Sequence, residues 1–162
     1  MGLLKNETAW ISAIAMLLMF SLLAQAETFQ NVHYLYQPEG KDKGQEIEGK
    51  LSIDVATRKI AFIAVRRAAY PSHDALNFEL SADSVTDMLY ERTSKPRYAA
   101  ALLVAWPLIF TKEKKHYLTI QYKDSAGVGR YAIFHSDKGN FQQILAATEA
   151  LTGKKCERTD ER

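Results

Sequence analysis

Along most of the chain apolar and polar positions alternate in steps of two, and only near the C-terminus does the period lengthen to that of a helix. Leu51, Ile53 and Val55 alternate with Ser52 and Asp54, the pattern of a strand with one buried face. Ala56 to Lys59 supplies a short turn, and Ile60 to Arg66 is apolar again, so Gly49 to Arg67 predicts a hairpin. A strand from Val32 to Gln37 precedes it, separated by a polar surface loop from Pro38 to Gly44. After a break at Tyr70 to Asp74, Leu76, Phe78 and Leu80 alternate with Asn77 and Glu79. Ser81 to Ser84 turns the chain, and Val85 to Arg92 reads as a further strand with poorer alternation.

The second half is clearer. Leu118, Ile120 and Tyr122 share a face, Asp124 to Gly127 has turn chemistry, and Arg130 to His135 returns, which predicts a hairpin. Phe141, Ile144, Leu145, Thr148 and Leu151 then recur at helical spacing. Asn140 or Asp137 is placed to accept from the first free amides, and Gly153 stands where a left-handed C-cap belongs. The helix is expected over 141–152.

About seven antiparallel strands followed by one amphipathic helix is a restricted order, because the helix must cover the opening left by a strongly bent sheet. The hairpin GKLSIDVATRKIAFIAV, the hairpin HYLTIQYKDSAGVGRYAIFHSD and the helix NFQQILAATEALTG carry the resemblance. In this order the chain resembles the pleckstrin-homology-like superfold, including its bacterial PH and GRAM-type members. The resemblance implies a mainly β domain with one C-terminal α-helix, a partly open barrel capped by that helix. Many such domains bind phosphoinositides through basic residues on the first hairpin. Here Lys41, Lys43 and Lys50 are interspersed with Glu39, Asp42 and Glu46, so the fold is carried over and that ligand is not.

The N-terminus adds a targeting signal. Lys5 precedes an apolar run from Trp10 to Leu23, and Ala24-Gln25-Ala26 has the small-x-small form of a cleavage site. Residues 1–26 are expected to be a secretory signal peptide, because the run is shorter than the roughly twenty residues a membrane-spanning helix requires. The expected product is an exported, periplasmic or secreted domain over 27–154 with a polar tail over 155–162. Its length, about 136 residues, is that of one domain. The net charge of +2 provides no field for nucleic acid. Cys156 is the only cysteine, so no disulfide can form within the chain. It is expected to be an exposed tail residue, with pairing between chains left open.

One stretch exceeds what a small barrel obviously needs. Tyr98 to Phe110 is almost wholly apolar and contains Trp106-Pro107, so a single continuous helix or central strand is disfavoured. Two roles stay open for it: a segment tucked against the core, or a contact surface made of Leu103, Trp106 and Phe110 with Lys112, Lys114 and Lys115 at its rim. The second would suit an anionic membrane.

Catalytic signals are absent from the sequence. His33, His73, His116 and His135 fall in separate elements with no metal-ligand spacing, no nucleophile motif occurs, and no cofactor is implied. Only His116 and His135, expected on paired strands, form a pair worth measuring. The functional expectation is a binding or scaffolding module for a protein or peptide, with membrane-surface binding as the alternative. An enzyme comes third, favoured only if a pocket gathers two histidines with an acid.

Overall fold

The computed structural model describes residues 26–36, 45–65, 76–94, 96–98 and 114–160. The expected leader, the loop after Pro38, and Leu103, Trp106, Phe110 and Lys112 lie outside the described residues.

Among the described residues eight strands form one open sheet, and the architecture is that of a PH-like partly open barrel capped by a helix. The strands are β1 (Glu27–Tyr36), β2 (Gln45–Asp54), β3 (Lys59–Ala64), β4 (Phe78–Ser81), β5 (Val85–Thr93), β6 (Lys115–Lys123), β7 (Gly129–Ser136) and β8 (Glu157–Asp160). Their order is β4-β3-β2-β1-β7-β6-β5-β8, so two meanders meet where β1 pairs with β7. All pairs are antiparallel except β5 with β8.

Local chemistry accounts for the turns. Asp54 Oδ1 accepts from the amides of Ala56 and Thr57, and Asp124 Oδ1 does the same for Ala126 and Val128. Gly127 takes the left-handed conformation that the second turn requires, at φ 78°. β1 begins five residues earlier than the alternation predicts, because a register shift between Phe29 and Val32, with Asn31 at φ 55°, interrupts the period of two.

The helix α1 (Phe141–Thr152) occupies the predicted span, and Gly153 caps it at φ 69°. Its N-terminus differs from expectation. Asn140 makes no side-chain cap and donates instead to the Gln30 carbonyl, while Asp137 accepts from Gly139 and Asn140, just before the first turn. Ile144, Leu145, Thr148 and Leu151 are buried and close the concave face over Leu51, Ile53, Met88 and Ile120. At its far end Arg58 bonds both the Leu151 carbonyl and Asp83, tying the helix to the β2–β3 turn. Beside it, Tyr34, Phe62, Phe78 and Phe134 pack with ring centroids 4.8 to 5.9 Å apart.

The C-terminal residues depart most from the sequence reading. Glu157–Asp160, expected in a polar tail, pair with β5 as a parallel edge strand, held by backbone bonds that need no apolar pattern. To reach that edge the chain passes under the end of α1, so Cys156 is buried within the core cluster at 8% exposure. Its amide donates to Glu149.

β5 alternates poorly because it is covered on both faces. Leu89, Thr119, Ile133 and Leu35 form one cross-strand row on the convex face, and all four are buried. The chain leaving β5 turns back over this face. The Arg97 amide and guanidinium hold the buried Glu91 at 3.0 and 3.1 Å, and Tyr98 stacks on Tyr131 with centroids 4.9 Å apart.

Candidate functional site

Two places gather side chains with chemistry. The first lies on the concave side, between the start of α1 and the β5–β8 edge. Tyr90 and Arg92 alternate onto this face of β5, and the register sets His116 opposite Arg92 and Arg158 opposite Tyr90. Phe141, the first residue of α1, stacks on His116 at 4.0 Å and 10°, and on Tyr90 at 5.5 Å and 12°. Tyr90 Oη and His116 Nδ1 are 2.7 Å apart. These five residues line a cavity of about 330 Å³, inside the range of small-ligand sites. Its floor is a stack of flat rings and its lip carries two guanidinium groups. A second, larger groove of about 560 Å³ at the β1 bulge is lined by groups such as Gln30, Asn31, Asp137 and Gln143, without a cationic residue.

The second place is on the convex face. Residues Glu91, Tyr117, His135, His33 and Glu48 form a single row across β5, β6, β7, β1 and β2. Glu46, two residues before Glu48, leans into it. His135 Nδ1 donates to Glu46 Oε1 at 2.6 Å, and His33 Nδ1 stands 3.8 Å from the same oxygen. Lys115 Nζ is 3.7 Å from Glu46 Oε2. Burial holds His33 below the ordinary imidazole range, the pull of Glu46 notwithstanding. Burial opposes ionisation of Glu46 as well, but the His135 hydrogen bond and the Lys115 charge outweigh it and keep the carboxyl below its ordinary value. Burial also pushes the Tyr117 phenol up.

Of the sequence-predicted contact residues, only Lys114 and Lys115 fall among the described residues. Lys115 is drawn to Glu46 on the convex face, and Lys114 is exposed just before β6. His116 and His135 do sit on paired strands, but their cross-strand partners are Ser136 and Tyr117 respectively, so the two rings face opposite sides of the sheet. The histidine pair that forms is His33 with His135, their centroids 5.2 Å apart. Sequence reasoning missed it because β1 and β7 are more than ninety positions apart and their pairing leaves no local signal.

No family model matches the chain, and no curated protein matches it. Among solved structures it is similar to a chain of the Spt16D–Pob3N heterodimer, with TM-score 0.50 and 10% sequence identity, over 86% of this chain and 57% of that one. This likeness concerns the fold, and the chain spans little more than half the length of the one it matches.

Proposed function

We propose that the chain is an exported PH-like binding module that docks an acidic peptide segment of a protein partner in the concave cleft. The carrying observation is the stack of Tyr90, His116 and Phe141 between Arg92 and Arg158. Phe141, the partly exposed ring of the stack, is fixed in place by the buried Tyr90 and His116, and guanidinium groups form charge-assisted, often bidentate bonds with carboxylates. Aromatic and arginine side chains also dominate binding energy at protein interfaces. The structural neighbour belongs to a heterodimer, which is consistent with a fold used for protein pairing. Docking to an anionic membrane is the alternative; of its expected cations Lys115 lies 3.7 Å from Glu46, just as Arg158 of the cleft lies 3.7 Å from Glu149.

Selection from a peptide library, followed by titration of the selected peptides, tests the reading. Acidic peptides should bind, weaken with added salt, and lose about tenfold or more in affinity, or 1.4 kcal/mol, in Arg92→Glu and Arg158→Glu. Peptides that bind both variants as well as the parent would contradict it. The export component has its own check. The intact mass of the protein from the producing cells should correspond to a chain starting at Glu27, and a mass retaining residues 1–26 would refute it.

A further inference from the structure

We propose that His33, Glu46 and His135 form a binding site for a borderline first-row divalent ion of the zinc type, separate from the concave cleft. Three paired strands deliver the ligands. β1–β7 pairing sets His33 directly opposite His135, and β1–β2 pairing places Glu46 one diagonal step away, beside the Glu48 that faces His33. Each of these strands is bonded on both sides, so the ligand positions rest on rigid backbone. One ligand atom from each residue lies within 4.8 Å of the other two.

Two of the three ligand–ligand distances approach those of an ion's shell. With metal–ligand bonds of about 2.0–2.1 Å, a tetrahedral ion holds its ligand atoms about 3.3–3.4 Å apart. The two Nδ1-to-Glu46 separations, 2.6 and 3.8 Å, bracket that value, so one must open by under about 1 Å and the other close by about half as much. In the ion's absence a proton bridges His135 and Glu46. Coordination through Nδ1 requires that this nitrogen be unprotonated, which a neutral imidazole achieves by carrying its proton on Nε2.

The donor set also selects the ion. Two imidazoles with one carboxylate favour zinc, copper, nickel or iron, whereas calcium and magnesium require oxygen ligands. Lys115 beside Glu46 Oε2 offsets the carboxylate charge that a hard cation would rely on. The His33 side chain is 32% exposed and those of Glu46 and His135 are 18% and 16%, so the site opens on the His33 side. A water can complete the shell there.

Zinc titration of the tag-free, chelator-treated full chain by calorimetry tests the site, together with cobalt substitution read by visible absorption. One zinc per chain should bind, with the cobalt form showing the intense bands of a four-coordinate nitrogen and oxygen site. His33→Ala and His135→Ala should each weaken binding by about tenfold or more, while Glu79→Gln on β4 leaves it unchanged. His33 is the most exposed ligand, so circular dichroism of His33→Ala should match the parent and separate ligand loss from misfolding. No saturable zinc uptake by the parent, or uptake that survives both substitutions, overturns the proposal. Either result leaves the peptide-docking reading untouched.

Discussion

Gly49→Ala probes the closest approach in the core. Gly49 sits inside β2, opposite Val32 on one side and Ala64 on the other. A Cβ added there would overlap Phe62 Cζ and come within 2.6 Å of the Ile63 carbonyl oxygen, where ordinary contact begins at about 3.5 Å. The ring has nowhere to go. Phe62 is fully buried and sits among Tyr34, Phe78 and Phe134 at 5.4 to 5.9 Å, while the carbonyl is fixed by the β2–β3 pairing. Overpacking of this kind costs about 1–3 kcal/mol, against a gain of about 0.4–1 kcal/mol from the stiffer unfolded chain. A net loss of about 1.3 kcal/mol lowers Tm by about 4–6 °C in a domain of this size. Gly129→Ala is the control, because nothing lies within 4 Å of its added Cβ. Urea titrations should show Gly49→Ala clearly destabilised and Gly129→Ala neutral or slightly improved. Equal midpoints for the two variants would refute the packing argument.

Three further outcomes follow from the fold. Leu145→Ala should cost about 2–5 kcal/mol, because the side chain is 3% exposed beneath α1, whereas the exposed Gln143→Ala should leave the urea midpoint unchanged. Cys156 should react with a thiol reagent at pH 8 only as fast as the domain unfolds, since burial pushes its pKa from 9.0 to about 12. Tyr34 moves the same way, from 10.0 to about 12. The unfolded chain therefore releases these protons first, and stability should fall as pH rises from about 9 to 12, read as a declining Tm.

What was legible in the sequence depended on whether the signal was local. The hairpins around 54–59 and 123–129 and the helix were readable because alternation, turn residues and a C-cap glycine all point the same way within a few positions. Val85 to Arg92 blurred because both of its faces are covered, which erases the period of two. Glu157–Asp160 and the burial of Cys156 were hidden, because an edge strand is joined through backbone groups that no side-chain pattern reports. The two functional candidates depend on long-range register. His33 meets His135, and Phe141 meets Tyr90, only after β1 pairs with β7 and α1 folds back over β5. Of the apolar stretch from Tyr98 to Phe110, only Tyr98 falls among the described residues, and it lies on the convex face against Tyr131.

The central claim is that the Tyr90–His116–Phe141 cleft docks a protein segment, and site-directed photo-crosslinking in the producing cells tests it most directly. A photoreactive residue replacing Gln142, exposed beside Phe141 at the start of α1 and outside the binding side chains, should yield a discrete adduct of higher mass. The same residue replacing Val128, 51% exposed on the β6–β7 turn, should yield none. Adducts of equal strength at both positions, or at Val128 alone, would contradict the account.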